Sequence, residues 1–355
     1  MSVVEKEYND FYLLCNRYKP AIREESDHNN KTNVKVIPVT PEDIEFAKQF
    51  LNDINSNINE IFNGISYFHI AVRNRHYELA ELIITHPSFD FQLLSLKYLF
   101  GCTILHSLCR DNNKHLLKLI LQDVRFDGNL LNISNKSYEN RTLLHMLSES
   151  NNKDLIKLVV NNEKFTCLNN KDIYGMTALL SLSTKNLDCI KLITEHQSFN
   201  PLTLIENTVE EGWSPIYMSV IVHENFVYLL SLVKKYSLLS NLEIKNHLFH
   251  DKFNMSVFSI LSRSDAYYPT MCELIKFIEE NNMRDIVWND IDDIDDVKLY
   301  YPGKKVFNLL KSYRQNPTHI YRQLVDNKYN HDYEPNYFLD FPIESVAILF
   351  DYYFK

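Results

Sequence analysis

Glycine is scarce in this chain, with only 6 glycines among 355 residues. Catalytic architectures that depend on several glycine-rich phosphate loops are therefore disfavoured. Basic residues are also fewer than acidic ones. The chain has 37 lysines and arginines and 46 aspartates and glutamates, which gives a net charge of −9 at pH 7. This acidic balance argues against a protein whose main task is to neutralise phosphates, so we expect no nucleic-acid partner.

Long apolar runs are missing as well, because no stretch approaches the roughly 18 uncharged apolar residues that suit a membrane-spanning helix. The six cysteines lie far apart, at positions 15, 102, 109, 167, 189 and 272, and no cationic-then-apolar leader precedes them. This pattern argues against a disulfide framework and against secretion. We therefore expect a cytoplasmic protein without membrane insertion.

The composition still provides for a packed interior, since apolar residues make up 45% and charged residues 23% of the chain. At roughly 150 residues per domain, this length suits two or three domains or one long repeat array. Whether segments of the sequence repeat decides between separate domains and a repeat array.

One short phrase recurs five times. Gly101-Cys-Thr-Ile-Leu-His106 and Gly175-Met-Thr-Ala-Leu-Leu180 are two of its copies, and Asn replaces the opening Gly in Asn140-Arg-Thr-Leu-Leu-His145. Asn is the common substitute for Gly where φ is positive. The five openings are Gly64, Gly101, Asn140, Gly175 and Gly212, at spacings of 37, 39, 35 and 37 residues.

Each opening leads into a short apolar helix, a polar turn and a second helix. The second helix has apolar residues at i, i+1, i+3 and i+4, as at Leu116, Leu117, Leu119 and Ile120. That spacing places one apolar stripe on the helix, facing its neighbours. A phenylalanine follows the first four second helices, at 89, 126, 165 and 199, and its register predicts a packing role.

This pattern resembles the ankyrin repeat family, whose unit is a β-turn followed by two antiparallel helices with a Thr-Pro-Leu-His-like opening. The resemblance covers roughly residues 60–235. The chain departs from the family in unit length and in proline, which takes its expected place only at Pro215. The family's glycine between the helices is replaced by Arg75, Asn112, Asn151, Asn186 and His223.

The resemblance implies an all-α solenoid of stacked helix-turn-helix units, with β-turn fingers and helical caps at both ends. We expect a helical extension and polar linker at 1–40 and a capping helix at 41–62, with Thr40 as N-cap and Pro41 at the first helical position. Repeats one to five then occupy 63–235, decayed repeats with insertions occupy 236–310, and a helical cap occupies 311–355.

Three of the recurring opening phrases contain a histidine, and a metal site is one hypothesis for this pattern. The residues are His69, His106 and His145. Neighbouring helices lie about 8–10 Å apart, whereas zinc ligands lie near 2 Å from the ion, so residues of successive layers do not converge on one metal. The resemblance implies that this histidine hydrogen-bonds the backbone of the neighbouring loop. We also find no constellation of nucleophile, base and orienting group, and we expect a non-enzymatic protein with no cofactor and no metal.

The same resemblance directs the search for a binding surface to the fingertips and to the exposed ends of the inner helices. Large aromatic residues and arginine dominate interface energetics, and truncating such an anchor often costs about 2 kcal/mol or more. The fingertip candidates are Tyr98, Phe100, Tyr138, Arg141, Tyr174, Met176 and Trp213, and the inner-helix candidates are Arg73, Arg110 and Lys185. The alternative is that these side chains pack against adjacent fingers.

Three functional hypotheses follow from the sequence. The first is an adaptor or scaffold that binds a protein partner through this surface, acting as a monomer or within a hetero-complex. The second is a structural subunit that is held in a larger assembly by its terminal extensions, 1–40 and 310–355. The third is an enzyme whose catalytic part lies in residues 236–355, where we recognise no catalytic constellation.

Overall fold

The computed structural model describes residues 10–16, 39–97, 101–135, 139–240, 256–284 and 304–326, and these residues form a row of paired helices. The first pairs are α1 (10–15) with α2 (Pro41–Asn52), α3 (Tyr67–Arg73) with α4 (Tyr77–Thr85), α5 (Ile104–Arg110) with α6 (Lys114–Gln122), and α7 (Leu143–Glu149) with α8 (Lys153–Val160). The later pairs are α9 (Ala178–Leu182) with α10 (Leu187–Thr194), α11 (Pro215–Ser219) with α12 (His223–Lys235), α13 (Val257–Leu261) with α14 (Tyr268–Glu280), and α15 (Lys304–Gln315) with α16 (Pro317–Val325).

The pairs stack side by side in two rows. In the inner row, which consists of the first helix of each pair, α3, α5, α7, α9 and α11 contact one another in succession. In the outer row, contacts run from α2 through α4, α6, α8, α10, α12 and α14 to α16. Each pair therefore packs on its immediate neighbours, and the all-α solenoid predicted from the repeat is confirmed.

The five openings adopt the backbone that the sequence predicts. Gly64, Gly101, Gly175 and Gly212 have φ between 73° and 83°, and Asn140 has φ 62°. A side chain with Cβ is disfavoured in this region, and Asn tolerates it best after Gly. The openings lie in the finger turns that precede the inner helices.

Two fingers form short antiparallel hairpins. Strand β1 (Ile61–Phe62) pairs with β2 (Ile65–Ser66), and β3 (Ser134–Asn135) pairs with β4 (Arg141–Thr142). The connection between β1 and β2 consists of Asn63 and Gly64, both with positive φ. Two such residues twist the turn to match the strands, so an Asn-Gly pair is a strong hairpin signal.

The turns between helices keep the family's left-handed position without its glycine. Arg75, Asn112 and Asn151 have φ of 61°, 53° and 51°. The fourth and fifth units differ, because Asn186 caps α10 with φ −78° and His223 is already the first residue of α12. The first three units therefore share one turn geometry, from which the next two depart.

The first outer helix is shorter than predicted. Its start is confirmed, since Thr40 caps the helix together with Asp43 and Pro41 follows in the first turn. The helix ends at Asn52 and not at Phe62, since the backbone of Asp53 is extended, and the Ser56 hydroxyl donates to the Phe50 carbonyl oxygen at this end.

Helix α1 belongs to the stack. The Phe11 ring stacks on Phe50 of α2 at a centroid distance of 4.1 Å and meets the edge of Tyr67 of α3 at 4.8 Å. At its other end, Asn16 Oδ1 accepts from Arg73 at 3.1 Å, and Asn74 donates to the Cys15 carbonyl oxygen at 3.0 Å. Helix α1 therefore occupies the inner-row position before α3, and the predicted extension and capping helix contribute one helix pair.

The last two pairs continue the outer row with α14, which has 13 residues, and α16, which has 9. Asp265 Oδ1 accepts from the backbone amides of Lys305 and Val306 and thereby caps the start of α15. The predicted boundary between residues 310 and 311 falls inside α15, so it does not separate two folding units.

The recurring phenylalanines pack as predicted. Phe89 and Phe165 are buried, whereas Phe126 and Phe199 are half-buried against the same core. After three of these residues comes a short 3₁₀ helix, capped by Asp90, Asp127 or Asn200. This loop brings each outer helix back to the next finger.

Candidate functional site

The fingers of the third to fifth units are joined to one another through the backbone. The Ile173 amide donates to the Glu139 carbonyl oxygen at 2.9 Å, and the Val209 amide donates to the Tyr174 carbonyl oxygen at 2.9 Å. Within the fifth finger, the Thr208 amide donates to the Trp213 carbonyl oxygen at 2.9 Å. These bonds hold the fingertips in a fixed register, so their side chains form one continuous surface.

Two aliphatic side chains stand exposed on that surface. Ile173 is 56% exposed and Val209 is 67% exposed, and both belong to the linked fingertips. Sequence reasoning missed them because its fingertip candidates were aromatic residues, Arg141 and Met176, and included no aliphatic side chain. Their position next to the openings Gly175 and Gly212 was the available signal.

The predicted aromatic fingertips lie partly at this surface. Tyr174 is half-buried and its hydroxyl donates to Glu139 Oε1 at 3.1 Å, which raises the pKa of Tyr174. Trp213 is half-buried against the core. Tyr98, Phe100 and Tyr138 lie outside the residues that the structure describes.

Two predicted fingertip candidates are buried. Met176 is 7% exposed and packs in the core, and Arg141 is 8% exposed. The Arg141 guanidinium lies 2.5 Å from Glu149, 3.3 Å from Glu139 and 3.6 Å from Asp172. We therefore correct the expectation that these two side chains are accessible to a partner, because the fold itself uses both.

The inner-helix candidates differ in their surroundings. The Lys185 ammonium donates to the carbonyl oxygens of Ser148 and Glu149 at the end of α7, and burial lowers its pKa. Arg73 is exposed but bonded to Asn16. The Arg110 side chain is 57% exposed and lies 3.6 Å from Asp111. Of the three, Arg110 is the most available to a partner.

The opening histidines are held within their own units. Nδ1 lies 2.9 Å from the Ser66 hydroxyl in His69, 2.8 Å from the Thr103 hydroxyl in His106 and 2.8 Å from the Thr142 hydroxyl in His145. His145 Nε2 also lies 3.0 Å from the Met176 carbonyl oxygen, the contact to a neighbouring loop that the resemblance implies. Across the described ranges, no three His, Cys, Asp or Glu side chains form a group that could hold a metal ion.

Burial keeps these histidines neutral near pH 7. Desolvation lowers the pKa of His69 and of His106 to about 4 and also lowers the pKa of His145. A neutral imidazole accepts at one nitrogen and donates at the other, which suits a hydroxyl on one side and a backbone group on the other.

Three asparagines bridge successive units, and sequence reasoning assigned them no role. Asn132 donates to the Lys164 carbonyl oxygen at 2.6 Å and accepts from the Thr166 amide at 2.8 Å. Asn59 makes the same pair of bonds two layers before, at the loop of Phe89, and Asn169 makes it one layer after, at the loop of Phe199. The amide side chain supplies the donor and the acceptor on two separate atoms.

The fingers and inner helices of the third to fifth units are acidic. Residues 139–149, 171–185 and 206–219 contain six carboxylates and three cations. The carboxylates are those of Glu139, Glu149, Asp172, Glu206, Glu210 and Glu211, and the cations are those of Arg141, Lys171 and Lys185. Lys171 pairs with Glu206 at 3.0 Å, whereas Glu210 and Glu211 form no ion pair within the part of the chain that the structure describes.

We call the accessible part of this surface the finger patch and define it as the exposed residues Ile173, Val209 and Glu210 together with the half-buried residues Tyr174 and Glu211. Glu210 lies close enough to Tyr174 to raise the pKa of its hydroxyl, so the charged and apolar members are neighbours. The arrangement offers apolar contact and negative charge side by side. It contains no pairing of a nucleophile with a base.

No described helix has the length and hydropathy of a bilayer-spanning segment. No curated protein matches the chain.

The solved structures that are similar to it include two ankyrin repeat domains of low identity. One is the ankyrin repeat domain of Bcl-3, a member of the IkappaB protein family, with 15% identity and a TM-score of 0.42 over 61% of this chain and 87% of that chain. The other is an ankyrin repeat domain from Acinetobacter baumannii AYE, with 18% identity and a TM-score of 0.40 over 57% of this chain and 93% of that chain.

The family comparison agrees with the repeat. Residues 68–167 match the model described as ankyrin repeats (3 copies). Ankyrin repeats are generally protein–protein interaction modules. Together with the stacked helix pairs and their finger turns, this match identifies ankyrin repeats in residues 68–167 of this chain.

Proposed function

We propose that this protein is a non-enzymatic adaptor or scaffold that binds a protein partner through the fingers and inner-row helix ends of its repeat stack. A solenoid presents an extended surface, because each unit contacts only its neighbours. The observation that carries the proposal is the exposure of Ile173 and Val209 on two fingertips that the backbone holds in register. Adjacent exposed apolar side chains mark interaction sites more often than isolated ones do.

The experiment is affinity purification of the full chain from its native cell, followed by mass spectrometry. The test variant is Ile173→Ser with Val209→Ser, and the matched control is Val124→Ser, because Val124 is fully exposed on a loop away from the fingers. We expect the test variant to lose its partner and keep its melting temperature, while the control keeps both. Retention of the partner by the test variant would contradict the proposal.

A structural subunit anchored by its termini is the second candidate. Residues 10–16 already pack against Phe50 and Tyr67 of the same chain, so this part of the N-terminal extension serves the stack itself. Light scattering on the isolated protein separates the two candidates. A stable monomer favours the adaptor, and obligate aggregation without partners favours the subunit.

We also propose a cytoplasmic location. All six cysteines are free thiols, five of them buried and Cys272 half-buried, and free thiols are typical of a reducing compartment. Fractionation of native cells with antibodies against the full chain tests the location, and recovery outside the cytoplasm would contradict it.

A further inference from the structure

The partner chemistry can be read from the finger patch. We propose that the patch binds a positively charged protein segment that also presents large apolar side chains, an inference that rests on the function proposed above. Ile173 and Val209 supply the apolar contact, and Glu210 and Glu211 supply charge that no described cation neutralises.

The charge distribution favours this occupant over others. Arg141 lies among three carboxylates and Lys171 is paired with Glu206, so the cations of the region are already engaged within the chain. The net charge of the chain, −9, has the same sign. A field of this sign speeds the approach of a basic partner and repels nucleic acid and anionic lipid.

A second copy of the same chain is a poor occupant. Two patches meeting across a two-fold axis would bring Glu210 and Glu211 of one copy against those of the other, because a two-fold contact joins the same surface on both partners. Like charges placed together oppose association. The patch therefore selects a partner of different charge.

The recognition needs both parts of the patch. Exposed ion pairs are individually weak and screened by salt, so the two glutamates steer and select more than they bind. The aliphatic pair supplies apolar area that leaves water on contact. A basic segment without apolar side chains, or an apolar segment with acidic neighbours, should therefore bind poorly.

The test uses the full chain and a short labelled peptide in which each leucine is followed by two lysines. One comparison peptide carries glutamate in place of lysine, and another carries serine in place of leucine. Fluorescence anisotropy at low and high salt measures their affinities. We expect the lysine–leucine peptide to bind best and to weaken as salt rises, and equal binding of the three peptides would overturn the inference.

Variants of the chain locate the binding. Glu210→Gln with Glu211→Gln should weaken the lysine–leucine peptide roughly fivefold and flatten its salt dependence, and Ile173→Ser with Val209→Ser should weaken it at every salt concentration. The controls are Glu163→Gln and Val124→Ser, which alter exposed residues away from the fingers. An equal loss in the controls would overturn the assignment to the patch.

The native partner distinguishes the two proposals. If Ile173→Ser with Val209→Ser releases the partner and Glu210→Gln with Glu211→Gln does not change its affinity, the basic-segment inference is wrong and the proposed function stands. If neither pair of substitutions affects the partner, the proposed function is wrong as well.

Discussion

At the scale of single residues, backbone handedness explains which substitutions this repeat tolerates. The openings use Gly or Asn, but the first inter-helix turn places Arg75 at φ 61°. An L-residue other than Gly or Asn is strained there by about 1–2 kcal/mol. The Arg75 side chain is 58% exposed and lies 3.9 Å from Asp111, a contact too weak to offset that strain.

Replacing Arg75 by Gly should therefore stabilise the protein. We expect a gain of about 0.5–1 kcal/mol in the free energy of unfolding, since relief of strain exceeds the added freedom of the unfolded chain. Urea denaturation measures the change. Arg73→Gly is the control, because Arg73 is helical, and it should lose about 1 kcal/mol. A loss of stability in both variants would contradict the strain argument.

The buried histidines make stability depend on pH at the same scale. In the folded chain the pKa of His69 and of His106 is about 4, against an unfolded value of 6.5. Between these values the unfolded chain binds protons that the folded chain does not, so the free energy of unfolding falls as the pH is lowered. The loss begins below pH 6.5 and reaches about 2 kcal/mol per histidine by pH 5.

Denaturation at pH 7 and at pH 5 tests this expectation, with His106→Asn as the comparison. Asparagine carries no titrating group, so the variant should lose less stability between the two pH values than the wild type does. The same pH dependence in both proteins would show that His106 titrates normally in the fold.

At the scale of elements, repetition determines what the sequence could predict. The openings and the second-helix stripes recur in register, so local signals reinforce one another, and the structure confirms them. The exposure of Ile173 and Val209 depends on how neighbouring fingers meet, which no single unit encodes. The burial of Arg141 depends likewise on Asp172, which comes from the next unit.

The asparagine bridges could not be predicted from the sequence for a related reason. Asparagine is frequent throughout the chain, so its recurrence in Asn59, Asn132 and Asn169 gives little contrast in the sequence. Their partners lie about 30 residues onward in the next loop. Only the stacking of units brings donor and acceptor together.

Removing one bridge should weaken the contact between two units. Asn132→Ala loses both bonds to the loop at Lys164 and Thr166, and we expect a loss of about 1–2 kcal/mol in urea denaturation. Asn132→Asp should also destabilise the protein, because a carboxylate can accept from the Thr166 amide but cannot donate to the Lys164 carbonyl oxygen. Asn161→Ala is the control, since Asn161 is exposed at the end of α8. Equal losses at both positions would argue against the bridge.

At the scale of the whole molecule, cohesion comes from contacts between adjacent pairs. Helix α1 is an example, because Phe11 buries its ring against Phe50 of α2 and Tyr67 of α3. Stability in such an array is close to a sum of unit terms and neighbour terms. A destabilising substitution at one end of the array should therefore destabilise only the neighbouring units.

Phe11→Ala tests this locality. We expect loss of about 3–5 kcal/mol from the first helix pair, because a fully buried ring leaves a cavity. Hydrogen exchange should accelerate in α1 to α4 and remain unchanged in α8 to α12. Leu13→Ala is the control on the same helix, since Leu13 is 55% exposed. Faster exchange along the entire array would show that the stack unfolds as one cooperative body.

The asparagine bridges also have a mechanical consequence. A chain pulled from its two ends would meet such a set of amide bonds at three loops of the described stack, and each set ties only two adjacent units. The units would then unfold one at a time under load and refold one at a time when the load is released. The protein would behave as an extensible tether that lengthens in small steps under tension.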